Sequence, residues 1–199
     1  RRCATAGHGV DLVRLDRAMD ARARTKTKIA TRKKPRTMAE GADKYALYRL
    51  SVQDPEHEVE TFVQFYKDAY ARSPVTLRED FCAAAAVCTE WVRSNRERTA
   101  VGVDLDPEPL AYGRAHYLTT LDDDARARVT LLQQDVMKCD AKAEIIAAQN
   151  YSFFLFKKRE LVRRYFEKVH ASLDDEGLFI MDMMGGGAML NEELEASRQ

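Results

Sequence analysis

Val75-Thr76-Leu77-Arg78-Glu79-Asp80 reads as a strand that ends in paired acids, and Thr99-Ala100-Val101-Gly102-Val103-Asp104 repeats the form, with Asp104 standing 25 residues after Glu79. That interval fits a strand, a tight turn, a helix and the next strand. In a doubly wound parallel sheet, ligands bind outside the carboxyl ends of the strands, and an acid after the second strand can accept from both hydroxyls of a ribose. The two stretches together predict a site for a ribose-bearing cofactor.

Working outward, Asp43 to Gln53 reads as a short helix. Pro55 suits a first helical position, and Val59, Phe62, Val63, Tyr66, Ala69 and Tyr70 recur at helical spacing as far as Arg72. After the break at Ser73-Pro74, Val75 to Phe81 forms the first strand and Ala83 to Ser94 a helix. Thr99 to Asp104 is the second strand, and Pro107 opens a helix whose apolar side includes Leu110, Ala111, Ala115 and Leu118. Val129 to Leu132 leads to Gln134-Asp135 as a third strand, and Ala143 to Ala148 is a fourth. Residues 157 to 172 form an amphipathic helix with Leu161, Val162, Tyr165, Phe166 and Val169 inward; Asp175-Glu176-Gly177 ends that connection before a fifth strand, Leu178 to Met184. This alternation argues for an α/β protein with a doubly wound, mainly parallel sheet, helices on both faces and a helical extension in front.

A chain of 199 residues, 45% of them hydrophobic, accommodates one domain with a substantial core. Net charge is zero but unevenly spread: residues 1–40 carry twelve Lys/Arg against four Asp/Glu, and the remainder carries twenty against 28. The organisation expected is a basic, disordered arm (1–40), amino-terminal helices (41–74) and a sheet domain (75–199) that is incomplete at its carboxyl end. The arm has three competing uses: a solvated tail, the remnant of a targeting segment, or a patch for nucleic acid or nuclear import. A chain that begins at Arg1 suggests that the true amino terminus is missing. No stretch approaches the roughly 18 apolar residues that cross a bilayer. Cys3, Cys82, Cys88 and Cys139 form no CxxC pair, which argues against a zinc site and for reduced thiols in an intracellular compartment, cytoplasmic or organellar.

Taken in order, Leu77-Arg78-Glu79-Asp80-Phe81-Cys82, Ala100-Val101-Gly102-Val103-Asp104-Leu105-Asp106-Pro107, Gln134-Asp135-Val136 and Asn150-Tyr151-Ser152-Phe153 resemble successive motifs of class I S-adenosylmethionine-dependent methyltransferases. The first motif is similar to that of a bacterial and plastid-type branch in which Leu-Arg-Glu-Asp-Phe-Cys is followed by Gly. The resemblance covers residues 43 to 187 and implies a Rossmann-like fold whose last two strands, an antiparallel hairpin, lie beyond this chain.

It also implies roles. Glu79 would hold the cofactor's amino group, and the turn Phe81, Cys82, Ala83 to Ala85 would lie against its methionine part and ribose. Asp104 would bind the ribose hydroxyls, and Leu105 would pack on adenine. Asp135 would accept from the adenine amine, with Val136 packing nearby. Asn150 and Tyr151, after the fourth strand, would line the site on the substrate side, and Asn150 would also reach the cofactor. Tyr45, Tyr48 and Gln53 of the leading helix would face the pocket, Tyr48 toward the substrate.

One departure matters: the family pattern has glycines where this chain has Phe81, Ala83 and Ala85. Glycine permits a sharp bend and positive φ without a side chain against the ligand. Alanine there costs on the order of 1–2 kcal/mol if it must be left-handed, so Ala83 is expected to weaken cofactor binding. Methyl transfer from a sulfonium needs placement more than proton transfer; His116 and His170 are the titratable candidates by type, and both fall in helices away from strand ends. Three other readings compete. One is a catalytically silent module of the same fold with weakened cofactor binding. Another is a nicotinamide-dependent dehydrogenase, which lacks here its Gly-x-Gly-x-x-Gly turn. The third is nucleic-acid modification through the basic arm.

Overall fold

The computed structural model describes residues 41–186. Strands β1 (Thr76–Asp80), β2 (Thr99–Asp104), β3 (Val129–Gln133), β4 (Ala143–Ala148) and β5 (Leu173–Met181) form one parallel sheet in the order β3-β2-β1-β4-β5. The chain lays β2 and β3 to one side of β1, then returns to put β4 on the other. β1 and β4 therefore meet where the winding reverses, the place at which doubly wound sheets open a ligand crevice.

Two helices precede the sheet, α1 (Lys44–Val52) and α2 (Pro55–Tyr70). They are followed by α3 (Ala86–Ser94), α4 (Pro107–His116), the short α5 (Asp123–Ala127) and α6 (Arg159–Ser172). Their starts are written locally. Asp43, Asp54, Asp106 and Asp122 each cap a helix with a side-chain oxygen, and Pro55 and Pro107 occupy first positions where no N–H is needed. β4, Ala-Glu-Ile-Ile-Ala-Ala, is buried at every residue, as a central parallel strand must be.

The two faces of the sheet bury separate cores. On one, Leu77, Ala100, Ile145 and Ala147 pack with Val59, Phe62 and Tyr66 of α2 and with Val87, Cys88 and Trp91 of α3. The Trp91 indole N–H donates to the Val75 carbonyl, and the Arg98 guanidinium lies 4.3 Å from the ring centroid. On the other face, Val103, Ile146 and Ala148 pack with Tyr165 and Val169 of α6 and with Val136 and Cys139 of the β3–β4 connection.

Several boundaries differ from expectation. β5 begins at Leu173 rather than Leu178, and Asp175-Glu176-Gly177 is strand, not turn. The Tyr66 hydroxyl donates to the Glu176 carbonyl (2.7 Å) and the Tyr70 hydroxyl to that of Gly177 (3.0 Å), so α2 holds this polar segment in line. Met183 and Met184 lie past the strand. The helix expected from Ala83 starts at Ala86, and Phe81 belongs to the turn, not to β1, because the backbone turns left-handed between them. On α4 the buried residues are Pro109, Leu110 and Gly113, while Ala111 and Ala115 are exposed and Leu118 falls in a following 3-10 turn. Phe166 of α6 is exposed. The basic arm, Cys3 and the segment from Gly187 onward lie outside the described residues. Among those described, no helix is long and apolar enough to cross a membrane.

Candidate functional site

Where β1 leaves the sheet, Phe81, Ala83 and Ala85 have φ of 60°, 47° and 57°. These are the three positions at which the resemblance puts glycine, and each is left-handed with a side chain attached, at on the order of 1–2 kcal/mol per residue. Neighbouring groups hold them there. Cys82 N donates to the Val103 carbonyl (3.1 Å), Ala83 N to Asp104 Oδ2 (2.8 Å) and Ala85 N to the Cys82 carbonyl (2.7 Å). The Phe81 ring packs against Phe156 and Tyr165, with centroids 6.0 and 5.8 Å away. From outside, α4 closes on the turn at Gly113, where a Cβ would stand 2.2 Å from the Ala84 carbonyl oxygen. The Cys82 sulfur points inward, filling the space over Gly102 beside Cys88, and burial pushes its thiol pKa well up. Its backbone alone lines the turn.

Glu79 sits directly under this turn, 2% exposed. Its Oε2 accepts from Cys88 N (3.2 Å) and from Cys88 Sγ (3.0 Å), and Oε1 has no hydrogen bond among the described residues. Burial raises its pKa to about 8; the charges acting on it, Glu58 and Asp104, are both acidic and add to the rise. At the first turn of α3, the N–H groups of Ala86 and Val87 have no partner among the described residues, the usual condition of a helix start without a cap. The turn thus presents bare amide hydrogens and a buried carboxyl with no cation beside it among the described residues.

Asp104 ends β2, accepting from Ala83 N on one oxygen and from Asp106 N (2.9 Å) on the other. A carboxylate has roughly four acceptor positions, so about half remain. Leu105, the next residue, is 68% exposed. Asp135 follows β3 and caps the short 3-10 turn Val136–Lys138 through Met137 N (2.9 Å); Val136 is buried. The expected residues of β1, β2 and β3 therefore lie at adjacent strand tips.

Asn150 and Tyr151, after β4, are both left-handed, with φ of 55° and 57°. Their N–H groups donate to the two oxygens of Asp182 just past β5, at 2.9 and 2.8 Å. Tyr48 of α1 is 40% exposed, and its hydroxyl pKa is raised by partial burial and by the charges of Glu58, Asp182 and Glu79. Glu58 of α2 accepts from Asp54 N with one oxygen while its buried Oε2 is unpartnered, and burial raises its pKa. Tyr45 instead packs against Tyr112 of α4, the rings tilted with centroids 4.6 Å apart, where Asp43 accepts from the Tyr112 hydroxyl (2.7 Å) and Lys44 pairs with Glu108 (2.6 Å). Gln53 lines a separate cleft of about 840 Å³ with Arg49, Asp54 and Tyr117; none of the strand-tip acids lines it. His116 stacks on Tyr112, and His170 is exposed near the end of α6.

Sequence reasoning passed over Asp182, Glu58 and the partners of Arg78. Asp182 carried the same signal as Asp104, an acid directly after an apolar strand. Arg78 and Asp80 point to the α6 face, where Arg78 Nε and Nη2 donate to the two Asp80 oxygens (2.7 and 3.1 Å) and the Tyr165 hydroxyl donates to Asp80 Oδ2 (2.9 Å). Asp80 is thus bound into the core and is not a site acid.

No protein-family model and no curated protein matches the chain. Solved structures do. The glycopeptide N-methyltransferase MtfA complexed with sinefungin is similar at 19% identity and a TM-score of 0.56, over 71% of this chain and 59% of that one. CalS10, an amino pentose methyltransferase from Micromonospora echinaspora, aligns at 16% identity and a TM-score of 0.58, over 72% and 57%. An S-adenosylmethionine-dependent methyltransferase from Clostridium acetobutylicum aligns at 17% and 0.57, over 69% and 55%. The chain thus spans between about half and two thirds of the length of the structures it matches. Its fold is that of the S-adenosylmethionine-dependent methyltransferases.

Proposed function

We propose that this chain is a methyltransferase domain that binds S-adenosylmethionine at the β1–β4 switch point and transfers its methyl group to an acceptor of peptide or small-molecule class. The observation that carries the reading is the pairing of Glu79 and Asp104 on either side of a left-handed turn with free amide hydrogens. The fit is chemical. A buried carboxyl raised to about 8, the charges acting on it both acidic, suits an ammonium ion, the half-used Asp104 suits two hydroxyls, and exposed Leu105 suits a base.

When bound, the cofactor supplies a methyl group already activated on a sulfonium. The chain's own residues have the simpler tasks of binding and placement. Glu79 holds the amine end, Asp104 orients the ribose, and Asp135 with Val136 receives the base. Asn150, Tyr151 and Tyr48 line the acceptor side, with Asp182 fixing the backbone of the first two. Holding two reactants in line can account for roughly 7–11 kcal/mol of barrier, so no general base is required. The acceptor class is taken by likeness to two of the similar structures, a glycopeptide N-methyltransferase and an amino pentose methyltransferase.

Titration calorimetry with S-adenosylhomocysteine tests the reading. Saturable one-to-one binding is expected, with a thermal shift equivalent to about 2.7 kcal/mol at 100 times the dissociation constant. No heat and no shift at millimolar ligand would refute it.

A further inference from the structure

The connection from β3 to β4 is nine residues, Gln134–Lys142, with no helix beyond one 3-10 turn. It must run from the carboxyl end of one strand back to the amino end of another, past β2 and β1. Strands of five to six residues are about 20 Å long, and nine residues reach at most about 30 Å, so the segment crosses nearly extended. It lies against the α6 face with Val136 and Cys139 buried. The Val136 carbonyl accepts from Cys139 N (3.3 Å) in the 3-10 turn, but those of Cys139 and Ala141 have no backbone donor among the described residues, and leaving such groups unpaired is costly.

Arg78 supplies the partners. It is fully buried, and all five of its N–H groups are used. Two go to Asp80 as above; Nη1 donates to the carbonyls of Cys139 (3.2 Å) and Ala141 (3.1 Å), and Nη2 to that of Val136 (3.4 Å). Asp80 neutralises the guanidinium, and Tyr165 anchors Asp80 to α6. The planar fork, with its fixed donor directions, dictates where those three carbonyls stand. One side chain of β1 thereby sets the path of the segment that carries Asp135 and Val136.

We propose that Arg78, braced by Asp80 and Tyr165, is a positioning residue for the base end of the nucleoside pocket: it holds Asp135 and Val136 at the distance from Glu79 that one cofactor spans. The inference rests on the cofactor reading above and assigns a role to the Arg and second acid of the first motif.

The test compares two ligands, S-adenosylhomocysteine and S-inosylhomocysteine, in which a carbonyl oxygen replaces the amine that Asp135 would receive. Wild-type protein is expected to prefer the first by about tenfold, the worth of one hydrogen bond to a charged group. In Arg78→Lys, and to a smaller degree in Tyr165→Phe, that preference should collapse toward unity. A merely structural loss would weaken both ligands alike and keep the ratio. An unchanged ratio in a folded variant overturns the proposal, as does a wild type that binds both ligands equally. Should Arg78→Lys fail to fold, Tyr165→Phe, which deletes one hydroxyl, decides. A wild type that binds neither ligand sinks the cofactor reading itself, an outcome distinct from a preserved ratio.

Discussion

Glu79 and Glu144 are both buried glutamates in the central strands, one at each end of the sheet, and they are treated oppositely. At the amino end, Glu144 accepts from the Arg72 guanidinium, from the backbone N–H groups of Val75 and Thr76, and at 3.5 Å from the Tyr66 hydroxyl. Burial pushes its pKa up, but those donors outweigh it and hold the carboxyl below its ordinary value. At the carboxyl end, Glu79 has Cys88 alone and rises to about 8. The first carboxylate ties α2, β1 and β4 together. The second is kept under-solvated, a condition that a positively charged ligand relieves and a purely structural role does not explain.

The largest effect should come from breaking the satisfied end. Glu144→Ala leaves Arg72 and two N–H groups without their acceptor and should cost roughly 3 kcal/mol, read by urea unfolding at neutral pH. Glu79→Gln should not destabilise there and should gain stability, because the native carboxyl is largely protonated while that of the unfolded chain is ionised, and a neutral amide removes the cost of that protonation. Equal losses would erase the contrast between the two ends.

A pH series sharpens the contrast. The folded pKa of Glu79 lies above its unfolded value, so folding favours its protonated form; stability present at low pH is lost as pH rises through about 8. Wild-type Tm should therefore fall from about pH 4.5, the ordinary carboxyl value, to about pH 8 more steeply than that of Glu79→Gln, and the two should run parallel above that. An ammonium-bearing ligand should ionise the group, releasing up to about one proton per site near pH 7. Calorimetry in buffers of different ionisation enthalpy measures that release.

The smallest effect concerns the turn. Ala83→Gly relieves one left-handed residue and should stabilise the protein by at most about 1 kcal/mol, after the entropy of the unfolded glycine is counted. Affinity for S-adenosylhomocysteine should rise by as much as about tenfold if the relief falls on the bound state. Equal dissociation constants would show that the Ala83 methyl does not weaken binding.

Most of this architecture was legible in the sequence because local and global signals agree. Ala143 to Ala148 is apolar at every position but Glu144, and its bounds were read correctly; Asp54-Pro55 and Asp106-Pro107 announce their helices. The failures have physical causes. Asp175-Glu176-Gly177 has the composition of a turn and is drawn into β5 by two tyrosine hydroxyls more than 100 residues upstream, which no local pattern reveals. Ala83 and Ala85 have helical propensity, yet their conformation is imposed by Asp104 and by the gap at Gly113. At the site, strand-tip acids could be found one strand at a time. What could not be found is which face Arg78 and Asp80 choose, or that Asp182 reaches across to the loop after β4, because both depend on pairing between distant strands.

The chain contains one tryptophan. Trp91 is fully buried in the second turn of the helix that starts at the left-handed turn, with a guanidinium over its ring. Its fluorescence therefore comes from one known place, shielded from dissolved quenchers while α3 remains seated. A red-shifted, quencher-accessible emission would signal that α3 has lifted away, giving an optical reading of the floor of the pocket without a label.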